Sequence, residues 1–457
     1  TRPTGAAGMV QSVAPTETKP PASSARLGLG RTSGRPRLMT LLPHHFGSVC
    51  HIVGGGLAGL SAAKNLAAAG YAVHLYEGSS RLGGRCRSFT DPRLGTVIDN
   101  GSHMVFSSNV RLLAFLESIH SPSGGLAPAE GIEFFDIDDG ARWRLNPRGE
   151  SAAWLFGSGG RIVGSPRWRW MWDGISLLRA KNDTSESVSQ RLRTDTVAWR
   201  RLWRPFCHAV FNDEPSAVPA SKAGLLLRQL LFSGRESRPL VALRPWSEII
   251  AEAAAAHLGY QGVSISLSMP LLSVERRGNS VKRLIFRSGT IDTDGDVVIL
   301  ALPCRMAHRL CPDFVPSLRF NPIITLHFDA GRNLGHGFVG AIGGIAEWIF
   351  CHGRIVSVIV GCATPYLTDP HEDLALAVWG DVLAALPQTG LPDDPPRFRL
   401  VVEKGATVAA DAPTWASRPD PVTPLGNLFL SGDWTATGLP STLEGAVVSG
   451  ENAVKAV

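Results

Sequence analysis

Residues 50–60 read CHIVGGGLAGL, with Glu77 and the run Gly83, Gly84, Arg85 close behind. An apolar stretch from Val49 to Val53 enters a turn with the spacing Gly54-x-Gly56-x-x-Gly59. The pattern predicts an Ala-rich helix to Ala69 and then, after Gly70, a second strand from Tyr71 to Tyr76 that ends on an acid. This is a dinucleotide-binding βαβ unit. Gly54 permits the tight turn, Gly56 lets backbone approach a pyrophosphate, and Gly59 lets helix pack closely on strand. The helix start, at Leu57 and Ala58, offers N–H groups and a positive dipole end to phosphate. Glu77 stands where a carboxylate accepts hydrogen bonds from ribose hydroxyls.

Two further signals select the cofactor. In EGSSRLGGR, from Glu77, the adjacent glycines allow backbone to cross close to a pyrophosphate, with the Arg85 guanidinium available to it. Near the C-terminus an apolar strand ends on Ser431, Gly432 and Asp433, and a helix opens at about Thr442 and Leu443. A carboxylate there can bind a ribityl chain, and the helix start would stabilise an anionic reduced flavin ring. A nicotinamide enzyme has no use for this last element, so the three signals together point to FAD. No cysteine adjoins the C-terminal segment, so the flavin is expected to be non-covalent.

The chain of 457 residues is 44% hydrophobic and 18% charged, as expected of a protein that buries a sizeable core. Its net charge of +6 is concentrated at one end. Arg2, Lys19, Arg26, Arg31, Arg35 and Arg37 face only Glu17 within residues 1–47, which leaves the body close to neutral. No footprint for nucleic acid remains. The Pro-, Ser- and Gly-rich segment 1–47 reads as a disordered tail, with Met39 a plausible initiator. Seven scattered cysteines without a CxxC pair indicate neither disulfides nor a metal site and suit a reducing cytoplasm. No apolar run is long enough to span a bilayer.

Nucleotide-type elements recur near the start, near 260–303 and at the end, with other material between them. The expected fold class is therefore α/β: a discontinuous Rossmann-like FAD-binding domain in three parts (48–107, 236–312 and 421–457). An α+β substrate domain is expected from the insertions 108–235 and 313–420. The run from Asp296 to Pro303 reads as a buried parallel strand, and residues 321–360 as β-rich.

These motifs resemble the flavin amine oxidase and carotenoid desaturase superfamily and, more narrowly, the bacterial hydroxysqualene dehydroxylases of hopanoid synthesis. The segments that carry the resemblance are IDNGSHMVFSSN from Ile98, LWRPFCHAVFNDEP from Leu202, GGIAEWIF from Gly343, VVEKGATVAADAP from Val401 and LFLSGDWTATGLPSTLEGAVVSGENA from Leu428. It runs from about residue 48 to the end. Gly405 replaces an expected arginine and Gly55 a usual alanine. The resemblance implies a FAD domain of the glutathione-reductase type. It also implies reductive removal of a hydroxyl from a C30 isoprenoid alcohol to give squalene. Loss of an allylic hydroxyl leaves a delocalised cation, so a protonated group, aromatic faces and a dry tunnel should assist.

The resemblance also implies that the Gly101–Ser102 segment passes near the flavin, which makes His103 the candidate acid. Glu347 is a second candidate, Asp99 is expected to order the Gly101 turn, and Trp434 either lines the cavity or packs the core. The segment RWRWMW from Arg167 suits a bilayer interface, where such a substrate would be collected. Trp168 and Trp172 are expected to pack inward, leaving Trp170 and Arg169 for any peripheral membrane contact. The electron donor is unspecified, since no second dinucleotide motif occurs. A desaturase would need the same tunnel. An amine oxidase would want an aromatic cage, for which Tyr71, Tyr76, Tyr260 and Tyr366 are not arranged. A non-catalytic prenyl carrier could dispense with Glu77, Arg85 and Asp433.

Overall fold

The computed structural model describes residues 49–146, 162–181, 185–232 and 237–457; the expected tail at 1–47 lies outside the described residues. Five short strands form a wholly parallel sheet in the order Ser264–Ser266, Ala72–Tyr76, Val49–Val53, Val297–Leu300, Leu428–Leu430. Of the three central strands Val297–Leu300 is wholly apolar, and the other two are apolar but for His51 and His74, as expected of strands covered on both faces. Ile52 is in register with Leu75 on one side and Ile299 on the other, and all three are fully buried. Helices Leu57–Ala68 and Leu443–Ala456 pack side by side, and Ser61 Oγ donates to Val447 O across the contact at 3.0 Å. The two ends of the chain thus share one sheet and one helix layer.

A seven-stranded sheet builds the other half, in the order Phe398–Val408, Phe320–Asp329, Ile355–Val360, Trp348–His352, His336–Ile342, Ile132–Asp136, Arg142–Leu145. Its strands do alternate. Ile324, Leu326 and Phe328 join a core under helix His371–Ala385, where the Phe328 and Trp379 rings lie 4.9 Å apart. The intervening Ile323 and Thr325 face the central cavity. In the same way Ile349 and Cys351 enter the core while Trp348 and Phe350 face the cavity. Helices Arg167–Leu178 and Ala220–Phe232, with the segment Trp199–Phe211, close the far wall.

The wall corrects one expectation. Trp168 and Trp172 are 61% and 58% exposed, whereas Trp170 is 3% exposed and packed in the core. At 100° per residue, Trp170 and Leu177 share the inward side, Met171, Gly174, Ile175 and Leu178 face the cavity, and Trp170 also reaches its wall. This leaves Trp168 and Trp172 on the outer rim beside the cavity face.

Gly54, with φ +113°, adopts a backbone that β-carbon-bearing residues avoid, and a Cβ at Gly59 would stand 1.9 Å from Gly54 O. The Gly59→Ala substitution should therefore push the first helix off its strand. An overpacking penalty of about 1–3 kcal/mol is expected, measurable as a lowered urea midpoint with unchanged slope.

Candidate functional site: a flavin cradle opening into an apolar chamber

The first helix begins at an N-cap, Gly56, that has no side chain to bond the free N–H groups, and no acid stands in its first turn. Those donors face a large cavity through Leu57 and Ala58. Gly56 bridges to Gly83, so two glycine segments meet at one point on the cavity floor. Beside them, Glu77 Oε2 accepts from Gly55 N–H at 2.7 Å and Oε1 from Ser79 N–H at 2.8 Å. These bonds orient the carboxylate and leave lone pairs for a further donor.

The opposite end of the groove comes from the C-terminal segment. Asp433 is buried and its Oδ1 accepts from Arg85 Nη2 at 2.5 Å, while Arg85 Nη1 donates to Ala406 O. Arg85 is thus anchored on Asp433 while its partly exposed guanidinium still lines the cavity. Arg418 donates to the carbonyls of Asp433 and Leu439, both at 2.6 Å, and holds the turn between them. Thr442 caps the last helix by accepting from Gly445 N–H at 3.1 Å. Glu444 caps a second helix, Val110–Ser118, by accepting from the N–H groups of Arg111 and Leu112.

Of the residues expected to bind the cofactor, the structure brings Gly54, Gly56, Leu57, Ala58, Glu77, Gly83, Gly84, Arg85, Gly101, Ser102, Gly432, Asp433, Thr442 and Leu443 to this one cavity. Gly59 lies behind it, in the helix–strand contact. Free amides suit a pyrophosphate, Glu77 suits a ribose, and Ser102 Oγ, buried without a protein partner, offers a further polar contact. The cradle fits FAD.

Beyond the cradle the same cavity continues between Phe206, Trp348, Phe350, Ile359, Leu226 and Leu231. Its volume, about 2070 Å³, is roughly twice the upper end of single-ligand pockets. By volume it has room for more than one large ligand.

The candidate acids change places. His103 lines the cavity, stacks edge-on against Trp246 at 5.5 Å and leaves Nε2 without a partner. Burial, then the neighbouring Arg85 charge, pushes its pKa down to about 4. It is uncharged at neutral pH, which corrects its assignment as a protonated acid. Glu347 also lines the cavity and sits 2.7 Å from Nδ1 of His208, a residue the sequence reading did not single out. Asp99 does not order the Gly101 turn; it accepts from Ser88 Oγ and Trp246 N–H and joins those segments under the cradle. Trp434 is 1% exposed, donates to Leu302 O and does both things expected of it, packing the core and lining the cavity.

Fold and site together define a flavin-dependent oxidoreductase. The model of flavin containing amine oxidoreductases matches residues 57–155 and 171–457, and the chain belongs to that family. It is 36% identical to a hydroxysqualene dehydroxylase of Sinorhizobium fredii over 411 residues, covering 88% of this chain and 96% of that one. A hydroxysqualene dehydroxylase of Rhodopseudomonas palustris is 34% identical, over 89% and 97%. An oxidoreductase structure from Methanosarcina mazei superposes with TM-score 0.66 at 15% identity, covering 89% of this chain and 100% of that one.

Charge-assisted bonds from a ribose to the Glu77 carboxylate would be worth about 1.5–3 kcal/mol. The Glu77→Ala enzyme should therefore bind FAD roughly 10- to 100-fold more weakly, by fluorescence titration of the apoprotein.

Proposed function

We propose that this protein reductively removes the hydroxyl of hydroxysqualene to give squalene, with FAD held non-covalently in the cradle. The observation that carries the reading is the continuity of one cavity from the nucleotide cradle into a chamber with apolar and aromatic walls. The hydroxysqualene dehydroxylases to which the chain is similar along most of its length support the same substrate. When bound and reduced, FAD supplies the hydride that replaces the hydroxyl.

The chain's own residues do the remaining work. Leu226, Leu231 and Ile359 give the hydrocarbon a dry wall, which keeps water from capturing an allylic cation. The faces of Phe206, Trp348 and Phe350 can stabilise positive charge spread along the chain. Neutral His103 and Ser102 can hydrogen-bond polar atoms where cradle and chamber meet. Incubation of the FAD-loaded protein with dithionite and hydroxysqualene under argon should yield squalene by gas chromatography. A product with additional double bonds, formed from a hydrocarbon substrate with an oxidant, would instead make it a desaturase.

The substrate also has to leave a membrane. No helix among the described residues is long and apolar enough to cross one. The exposed Trp168 and Trp172 flank the wall residues Met171 and Ile175, and Leu225 on the neighbouring helix lines the cavity while 38% exposed. Arg179, Lys181 and Arg228 are exposed around this rim. Indole rings beside cations suit the headgroup layer of an anionic bilayer, with the cavity mouth facing the acyl chains. The W168A/W172A double variant should sediment with phosphatidylglycerol vesicles at least tenfold less strongly than the parent. Equal sedimentation would remove the membrane reading and leave the chemistry standing.

A further inference from the structure

Deep in the chamber wall stands a group of charges that the flavin cradle does not use. His208 occupies the last turn of helix Arg204–Phe211, which follows the wide π-helical turn Trp199–Trp203. Its Nδ1 lies 2.7 Å from Glu347 Oε1, at the head of strand Trp348–His352. Its Nε2 lies 3.4 Å from Glu214 Oε1, has no aligned acceptor and is shielded from bulk solvent. The imidazole is thus gripped firmly on one nitrogen and loosely on the other.

The surroundings are built to keep that geometry. A Cβ on Gly361 would stand 2.2 Å from Glu347 Oε2, so only glycine leaves room for the carboxylate. Cys362 N–H donates to Asn212 Oδ1 at 2.6 Å, and Asn212 Nδ2 donates to Thr407 Oγ1 at 3.0 Å. Asn212 has φ +49° and ends the helix that carries His208, so it locks that helix end onto the sheet that carries Glu347. The charged and titratable neighbours are Glu347 and Cys362 on the sheet side, and Glu214 with Arg204, 3.6 Å apart, on the helix side. Tyr366 feels the Glu347 charge from the next segment.

We propose that His208, positioned by Glu347, is the proton donor for departure of the substrate hydroxyl. The step balances as follows. The allylic C–O bond breaks and its electron pair stays on oxygen. That oxygen takes the Nε2 proton of His208 and leaves as water. The carbon gains the hydride that reduced FAD supplies, and His208, left neutral, regains a proton from solvent by way of the half-exposed Glu214 beside Nε2. Only Nε2 can act, because Nδ1 is held by Glu347. Burial lowers the affinity of this imidazole for a proton. The two carboxylates beside it, Glu214 and Glu347, outweigh burial and push its pKa up to about 9, so the donor is charged at neutral pH. Glu347 gains a second use, since its negative charge can favour the cation that forms nearby.

This inference rests on the dehydroxylation reading, and its test keeps the two separate. The FAD-loaded enzyme is reduced anaerobically and supplied with hydroxysqualene. Wild type should form squalene at a rate that falls as pH rises through about 9, where His208 loses its proton. H208Q should lose kcat by about 100-fold or more, the usual share of a general acid, with KM changed less than about threefold. E347Q removes one cause of the raised pKa, so its alkaline limb should move to lower pH. Wild-type protein labelled with 15N-histidine should show one imidazolium signal persisting to pH 8 that is absent from H208Q. A kcat for H208Q within about threefold of wild type would overturn the proposal. So would an unmoved limb in E347Q, which decides the matter should H208Q not fold. Wild type that forms no squalene would overturn the dehydroxylation reading itself, and the donor role with it.

Discussion

Strand Val297–Leu300 is hydrogen-bonded on both edges, to Val49–Val53 on one side and to Leu428–Leu430 on the other. Everything at the cofactor cradle depends on this double pairing. It brings the carboxyl end of the first strand, with its glycine turn, next to the carboxyl end of the last, with Ser431 and Asp433. In a parallel sheet all strand ends of one kind lie on one side, so ligands collect there. Glu77, at the end of the neighbouring strand, joins the same side. The ion pair between Arg85 and Asp433 then ties the two ends of the chain directly across the groove.

The chamber follows from a different constraint. The strands of the seven-stranded sheet must bury one face against helix His371–Ala385, and period-2 alternation sends every other residue the opposite way. Among the described residues no helix is packed flat upon that second face. Helices Arg167–Leu178 and Ala220–Phe232 and the segment Trp199–Phe211 stand off from it and leave a space. Two groups of charges on this cavity are paired. Asp433 faces Arg85, and His208 faces Glu347 and Glu214. The two histidines of the cavity show the effect of pairing. His103, buried beside the positive Arg85, is held neutral, while His208, buried beside two carboxylates, is held charged. Residue type alone does not distinguish them.

Much of the cradle was legible in the chain because its requirements are local. A tight turn, a close approach of backbone to phosphate and an uncapped helix start impose glycine at fixed offsets, and a terminal acid follows one strand later. The same held for the run from Val297 to Leu300, whose unbroken apolarity marks a strand covered on both sides. The tryptophans were harder. Trp168, Met171, Trp172, Ile175 and Leu178 fall on one helical stripe, and hydrophobicity says that a stripe exists without saying which neighbour it meets. In the structure the stripe runs along the cavity wall, its edge residues Trp168 and Trp172 are exposed, and Trp170, off the stripe, packs inward. His208 was missed because the nearest acids after it in the chain, Asp213 and Glu214, stand several residues on, and its firm partner lies 139 positions away.

The amino-acid sequence by itself determined the nucleotide-binding unit, the flavin type and the family, since each is written in short segments whose backbone geometry forces particular residues. Tertiary structure decided which histidine carries charge, what anchors Arg85, and which tryptophans reach the surface. Those properties arise from the distance between groups far apart in the chain and from the dielectric around them, and neither exists until the two sheets and the helices between them have closed on one cavity.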